Sequence, residues 1–144
     1  MVISGNSLEH GLLMLGCYTA GVPIAPVSAA YSLMSQDHEK LLHCFRKIGA
    51  KVIFAKEGSL HAKALERLLA EDPELKIVTC DGGPEQALDF TQICAVEPGA
   101  AVDDRVASIG ADTVGKYLFT SGSTGMPKCV PQTHGMMTTL IAGQ

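Results

Sequence analysis

The stretch Tyr117-Leu-Phe-Thr-Ser-Gly-Ser-Thr-Gly-Met-Pro-Lys128 joins a short apolar run to a loop of small and hydroxyl-bearing residues. The apolar run has strand propensity, and the glycines allow backbone N–H groups to turn toward an anion. Hydroxyl groups donate to phosphate oxygens or ligate Mg²⁺, and the terminal lysine adds a positive charge. The stretch therefore predicts a strand followed by a phosphate-binding loop. Its candidate ligands are Thr120, Ser121, Gly122, Ser123, Thr124, Gly125 and Lys128.

This loop differs from a Walker A loop, in which the lysine follows glycine and precedes serine or threonine. Here Pro127 precedes the lysine and Cys129 follows it. A loop of glycine, serine and threonine is by itself usually a solvated turn. The whole string up to Lys128, continued by Val130 and Thr133-His134, resembles the signature loop of the adenylate-forming enzymes. This AMP-binding superfamily comprises acyl-CoA synthetases, luciferases and peptide-synthetase adenylation domains. Cys129 departs from the family pattern, which has glycine at that position.

The resemblance extends toward the N-terminus and covers essentially the whole chain. The segments Asn6-Ser-Leu-Glu-His10, Gly21-Val-Pro-Ile-Ala-Pro-Val27 and Ala50-Lys-Val-Ile-Phe-Ala55 are similar to the region before the signature loop in acyl-CoA synthetases. The neighbourhoods of Ala25-Pro-Val-Ser28 and Tyr31-Ser-Leu33 are most similar to feruloyl-CoA synthetases and related aryl or acyl acid ligases. Residues 1–144 are thus expected to form part of the large N-terminal domain of such an enzyme.

The resemblance implies a two-step reaction. A carboxylate attacks the α-phosphorus of ATP to give an acyl-adenylate and pyrophosphate, and the thiol of CoA then displaces AMP. In that scheme the candidate ligands hold the β- and γ-phosphates: the hydroxyl residues donate hydrogen bonds, Gly122 and Gly125 give backbone access, and Lys128 offsets the developing charge. ATP, CoA and a carboxylic acid are the implied substrates, with Mg²⁺ bridging phosphate oxygens. The resemblance assigns no catalytic residue and no protein metal ligand within these positions.

The family's downstream parts are not found in these 144 residues. They are the adenine- and ribose-binding motifs, the Tyr-Gly-x-Thr-Glu segment, the acid pocket, the CoA channel, the hinge and the C-terminal lid with its catalytic lysine. We therefore expect a ligase fragment that is inactive alone. Two alternatives stay open: a non-catalytic nucleotide- or partner-binding module from a truncated ligase gene, and a βαβ domain whose loop matches by chance. The coding sequence beyond Gln144 distinguishes the ligase from the module.

Composition favours one globular domain. The chain is 47% hydrophobic, which argues against disorder and allows a sizeable core. A net charge of −4 with scattered basic residues gives no footprint for nucleic acid or anionic lipid. Residues 11–36 carry no formal charge, but Pro23 and Pro26 interrupt the apolar run and no lysine or arginine precedes Lys40. Neither a membrane span nor a signal peptide is predicted.

The cysteines and histidines do not form a recognisable metal motif. The cysteines are odd in number and far apart: Cys17, Cys44, Cys80, Cys94 and Cys129. This spacing favours reduced thiols and a cytoplasmic location, with Cys129 a small buried side chain. His38 and His43 would lie roughly 140° apart on a helix, so they cannot share a metal and are expected to be solvated or capping. His134 is expected to start a helix, and Tyr117 to pack in the core.

Strand and helix patterns alternate along the chain and predict an α/β fold, with parallel-sheet βαβ layers and helices on both faces. Strands are predicted at 22–27, 51–55, 75–80 and 117–119, with a further strand end at 1–4, and the chain is expected to re-enter the core at Val114. Residues 28–34 are expected to form a loop, 85–95 a short irregular helix, and 96–113 a surface segment. The signature loop follows a strand, and ligands of such sheets bind beyond the carboxyl ends of strands.

The helix signals identify ends and buried faces. Asn6 and Glu9 resemble a capping box for the first helix, which Gly21 would end. This helix is apolar on two sides, so both sides are expected to be buried in a complete domain and exposed in a fragment. Ser35 or Asp37 would start the second helix, with Gly49 after its end. A third helix would start at the cap Ser59, and a last one at the cap Thr133. The inward positions of the third helix are Leu60, Ala64, Leu65 and Leu68.

Overall fold

The computed structural model describes residues 1–121 and 125–143. Strands and helices alternate over most of the chain. In chain order the elements are α1 (Leu8–Thr19), α2 (Ala30–Leu33), α3 (Glu39–Ile48), β1 (Val52–Glu57), α4 (Ala62–Glu71), β2 (Lys76–Asp81), β3 (Leu88–Asp89), α5 (Phe90–Cys94), α6 (Ala100–Ala107), β4 (Val114–Thr120), β5 (Lys128–Thr133) and α7 (His134–Ala142).

The strands form two paired groups. β1, β2 and β3 lie side by side and run parallel, in that order. β4 and β5 pair antiparallel, so that Thr120 lies opposite Lys128. The parallel group confirms the predicted α/β class. The antiparallel β5 was not predicted, because its register depends on β4 and on the loop between them.

Single parallel bridges join the two groups. Val2 bridges Phe54 of β1 and Pro26, and Ile24 bridges Lys116 of β4. The N–H of Tyr117 donates to the carbonyl of Ile24 at 2.9 Å. The four strands β1, β2, β3 and β4 therefore all run in the same direction. The strand predicted at 22–27 is reduced to these bridges, since its prolines have no N–H to donate to a ladder.

Two hydrophobic layers cover opposite faces of the parallel strands. Ile53 and Ile77 pack with α3 and α4 on one face. Phe54 and Val78 pack with α1 and Phe90 of α5 on the other. This alternation follows the two-residue period of strand side chains and confirms the prediction of helices on both faces.

α1 departs from the predicted capping and burial. Its cap is Ser7 rather than Asn6, and the Ser7 Oγ accepts from the His10 N–H at 3.1 Å. Glu9 instead forms an ion pair with Lys56 at 3.1 Å. One side of α1, with Leu13, contacts the core, and the other stays exposed. The exposed residues of that other side are Leu8 (75%), Leu12 (50%) and Leu15 (60%). The burial on both sides that was expected for a complete domain is therefore not found in this chain.

The other helix predictions have mixed outcomes. Gly49 follows α3 in the left-handed conformation, with a φ of 58°, and Thr133 caps α7 by accepting from the Met136 N–H, as predicted. α4 starts after His61 rather than at Ser59, and this later start leaves Leu60 67% exposed. The inward positions Ala64, Leu65 and Leu68 are buried as predicted.

Three segments are more regular than predicted. Residues 28–34 contain the one-turn helix α2, and 85–95 form β3 and α5. α6 lies in the segment expected to be irregular, and it is exposed throughout its length. Arg105 of α6 donates to the carbonyl of Gly21 at 3.1 Å and so ties this helix to the end of α1. Over the described residues, the helices are too short or too polar to cross a bilayer.

Candidate functional site

The signature loop connects β4 to β5 and is therefore a hairpin loop. Thr120, the last residue of β4, lies opposite Lys128, the first residue of β5. Directly opposed residues of an antiparallel pair present their side chains on the same face. The loop leaves β4 at the carboxyl edge of the parallel strands, which is the edge where ligands bind in this fold class.

The described candidate ligands are open to solvent. Thr120, Ser121, Gly125 and Lys128 are all exposed. Gly125 has a φ of 84°, a conformation that favours glycine over residues with a Cβ. The structure thus brings these four predicted residues together around one loop. Their contact with phosphate stays a prediction. Gly122, Ser123 and Thr124 lie outside the described residues.

An open cleft of about 620 Å³ adjoins the C-terminal half of the loop. Gly125 and Met126 form one wall, and α2 with the start of α3 forms the other. The cleft holds both signs of charge. Hydrogen bonds from the Glu39 N–H and then from the Ser35 hydroxyl lower the pKa of Asp37, which keeps that carboxylate ionised. The charged side chains that line the cleft are Asp37, Glu39 and Lys40.

α3 contacts the loop directly. The Nε2 atom of His43 lies 2.9 Å from the carbonyl oxygen of Pro127. A carbonyl only accepts, so Nε2 carries the proton and donates it. The sequence prediction treated His43 as solvated or capping and missed this contact, because its partner is 84 positions away. His38 occupies the N-cap position of α3, but its side chain makes no capping hydrogen bond and is buried, so the expectation of a solvated or capping side chain is wrong. The helix begins at Glu39 rather than at Ser35 or Asp37.

The thiols next to the loop are packed rather than reactive. Burial, and after it the neighbouring Cys129, raises the pKa of Cys44 to about 12. Cys129 is half-buried opposite Phe119 in the hairpin, and burial also raises its pKa. A raised pKa leaves little thiolate at neutral pH. These observations agree with the prediction that Cys129 packs as a small side chain.

The structure places His134 at the start of α7 and Tyr117 on β4. α7 begins at His134, as predicted, and the ring of His134 lies 6.1 Å from that of Tyr18 in an edge-on arrangement. Among the described residues, the buried Nε2 of His134 has no hydrogen-bond partner. Tyr117 is half-buried and lines a cavity of about 290 Å³ together with Met1 and Cys17.

Comparison with known proteins places this geometry in a family. The model of the AMP-binding enzyme family matches residues 1–144. The chain is 28% identical over 145 residues to 4-coumarate–CoA ligase 3 of Arabidopsis thaliana, and the match covers 100% of this chain and 24% of that protein. It is also 28% identical over 130 residues to 4-hydroxybenzoate–CoA/benzoate–CoA ligase of Rhodopseudomonas palustris, covering 90% of this chain and 22% of that one.

The fold is also similar to that of a solved structure. A luciferase-like enzyme from the nonluminescent mealworm Zophobas morio superposes with a TM-score of 0.69 at 20% identity, over 92% of this chain and 30% of that chain. The chain spans about a quarter of the length of the curated relatives given above. Because the family model matches every residue from the first to the last, the chain belongs to the AMP-binding enzyme family.

Proposed function

We propose that the chain is part of the large N-terminal domain of an ATP-dependent acid–CoA ligase, and that its β4–β5 loop binds the β- and γ-phosphates of ATP. One observation carries this assignment. Exposed Thr120 and Lys128 face each other where the loop leaves the carboxyl edge of the sheet, in a chain that matches the AMP-binding family over its whole length. A hydroxyl and an ammonium at the base of one loop suit a polyphosphate.

Each residue of the loop has a distinct part in this proposal. Thr120 and Ser121 donate hydroxyl hydrogen bonds, and Gly125 lets the backbone turn toward the anion. Lys128 supplies positive charge. The ion pairs found among the described residues use Arg46, Lys51 and Lys56, which leaves the Lys128 ammonium to solvent or to a bound anion. The proposal includes Gly122, Ser123 and Thr124 on the strength of the motif.

Mg²⁺ fits this loop as an ion held mainly by the nucleotide. The described loop side chains offer the hydroxyl oxygens of Thr120 and Ser121, and Mg²⁺ takes few protein ligands when phosphates and water supply the rest. Among the described residues, no three His, Cys, Asp or Glu side chains come together as a metal site. The bound ion would neutralise phosphate charge, and Lys128 would add to that neutralisation from the protein side.

The acid substrate that we propose for the parent enzyme is an aryl acid of the feruloyl type, with CoA as the acceptor thiol. Support comes from the resemblance of Ala25–Ser28 and Tyr31–Leu33 to feruloyl-CoA synthetases, and from two relatives whose names specify 4-coumarate and benzoates. A cytoplasmic location completes the proposal, supported by the five free cysteines.

Calorimetry of the purified chain with Mg-ATP and with pyrophosphate tests the loop assignment. We expect a dissociation constant of about 1 mM or weaker, because a few charge-assisted hydrogen bonds are largely offset by the costs of association. Lys128→Ala and Gly125→Val should lower the affinity below detection. Lys63→Ala removes the same charge from an exposed position on α4 and should leave the affinity unchanged.

Two results would contradict the assignment. One is a folded wild-type chain that binds neither ligand even at concentrations well above about 1 mM. The other is a Lys128→Ala variant that binds as well as Lys63→Ala.

We also propose that catalysis needs parts of the enzyme beyond these residues. The isolated chain should therefore release no pyrophosphate above background when it is mixed with ATP and a panel of aryl and acyl acids. Turnover by the chain alone would refute this. An in-frame coding sequence beyond Gln144 that contains a hinge and a lid lysine would support the ligase over a non-catalytic module.

A further inference from the structure

Pro127 is a buried residue at the end of the signature loop, directly before Lys128. As a proline it has no N–H, so its carbonyl is its one backbone hydrogen-bonding group. Buried carbonyls in proteins are almost always paired. The partner here is the Nε2–H of His43 on α3, at 2.9 Å. The contact joins the loop to a helix of the hydrophobic core, since Leu42 and Phe45 of α3 are buried in that core.

One face of α3 lies beside the C-terminal part of the loop. Lys40, His43 and Lys47 recur at the i, i+3 and i+7 positions that share a helix face. Lys40 lines the cleft with Gly125. His43 donates to the carbonyl of Pro127, and the charge of Lys47 acts on the thiol of Cys129. Residues 125–129 therefore lie along α3, and His43 makes the hydrogen bond between them.

We propose that His43 is a positioning residue for the phosphate-binding loop, which orients Lys128 by holding the Pro127 carbonyl. The peptide unit is planar, so fixing the Pro127 oxygen also fixes the N–H and Cα of the following residue. The proline ring fixes a second torsion on the other side of that carbonyl. Lys128 thereby enters β5 in one orientation opposite Thr120. This inference rests on the proposed function, because the purpose of the orientation is to hold the ammonium at the phosphates.

Three variants of α3 separate positioning from general stability. His43→Leu keeps an apolar side chain and removes the donor. His43→Gln keeps an N–H donor at a comparable reach and should rescue the contact. Arg46→Ala is the matched control on the same helix, because it breaks the exposed ion pair with Glu71 at 2.7 Å and leaves the loop untouched.

Two readouts on the 144-residue chain test the inference. The first is hydrogen–deuterium exchange of the peptide spanning 127–133, and the second is pyrophosphate affinity in the presence of Mg²⁺. In His43→Leu the peptide should exchange several-fold faster, and the affinity should fall about 2- to 12-fold, the effect of one neutral hydrogen bond. His43→Gln and Arg46→Ala should stay within about twofold of wild type in both readouts.

The outcomes separate this inference from the proposed function. Equal exchange and equal affinity in His43→Leu and wild type would overturn the positioning role, as would an Arg46→Ala variant that behaves like His43→Leu. A wild-type chain that binds no pyrophosphate, with exchange that still accelerates in His43→Leu and is rescued in His43→Gln, would support positioning and refute nucleotide binding by this loop.

Discussion

A buried polar network links three segments near the carboxyl edge of the sheet, and removing its hydroxyl should destabilise the fold. The Oγ of Ser32 on α2 lies 3.1 Å from the carbonyl of Ile3 and 2.9 Å from that of Ala29. The Nδ1 of His61, which precedes α4, lies 2.9 Å from the same Oγ. Ser32 is 5% exposed and His61 2% exposed. One hydroxyl proton goes to a carbonyl, so Oγ accepts from the Nδ1–H of His61.

The magnitude follows from what Ser32→Ala leaves behind. Alanine fits the site without strain, but the Nδ1–H of His61 stays buried and loses its acceptor. An unsatisfied buried donor costs about 1–3 kcal/mol, so the free energy of unfolding should fall by that amount. In the double variant Ser32→Ala/His61→Leu no unpaired donor remains. The loss should therefore be smaller than the sum of the two single losses, with a coupling of about 0.5–3 kcal/mol.

Urea unfolding of the wild type, Ser32→Ala, His61→Leu and the double variant measures this coupling. The free energies follow from the change in unfolding midpoint at constant slope. Losses that add to within about 0.5 kcal/mol would refute the network and show that Ser32 and His61 contribute independently. A loss below about 0.5 kcal/mol for Ser32→Ala would do the same, because that is the range of substitutions away from buried polar groups.

The same network predicts that the free energy of unfolding falls as the pH is lowered. Burial lowers the pKa of His61 below its ordinary value of 6.5, and the nearby Glu57 carboxylate partly opposes this. As pH falls below about 6.5, His61 binds a proton in the unfolded chain, whereas in the folded chain it binds one only at lower pH. The stability present above that pH is therefore lost as pH falls through the folded pKa. Urea midpoints at pH 7.5 and 5.5 should differ more in wild type than in His61→Leu, and equal differences would contradict this account.

Two further substitutions and one labelling experiment test the packing. A Cβ at Gly58 would lie 2.8 Å from the carbonyl oxygen of Gly82, so Gly58→Ala should lose about 1–3 kcal/mol in urea unfolding. A Cβ at Gly11, inside α1, meets no described atom within 4 Å, so Gly11→Ala should gain about 0.5–1 kcal/mol; equal effects at both sites would contradict the packing. Native-state alkylation at pH 8, followed by mass spectrometry, should modify exposed Cys94 and spare Cys44, which is fully buried with its pKa raised to about 12. Equal rates at the two cysteines would show that Cys44 is accessible.

Much of the sheet could be predicted because its strands have local signals. The apolar runs at 51–55 and 75–80 match β1 and β2 to within one or two residues. Gly49 was placed correctly after α3, because the left-handed conformation that it adopts there is one that glycine takes most easily. Hydrophobic period and turn chemistry are properties of neighbouring residues, so a single sequence contains them.

The failures have physical causes of another kind. Residues 22–27 read as an apolar strand, but Pro23 and Pro26 limit their pairing to bridges. α6 was missed because the exposed helix has little hydrophobic period of its own. The pattern of α1 shows two apolar sides but not what contacts each of them. The sequence therefore could not show which side is exposed in this chain, where Leu8 is 75% exposed.

The candidate site also combines features that the local sequence predicts with contacts that it does not. The motif alone makes Thr120, Gly125 and Lys128 candidate ligands, because glycines, hydroxyls and a lysine carry their chemistry in their residue types. The pairing of Thr120 with Lys128 and the hydrogen bond from His43 arise only when distant segments meet. A loop that binds phosphate needs the residue types and these contacts. Without the contacts, the glycines and the lysine would lose conformational entropy when they bind, whereas a loop fixed by the contacts has lost that entropy beforehand. Under the proposed function, the helix beside the loop would contribute to phosphate affinity without touching the phosphates, and no motif within the loop could have revealed that contribution.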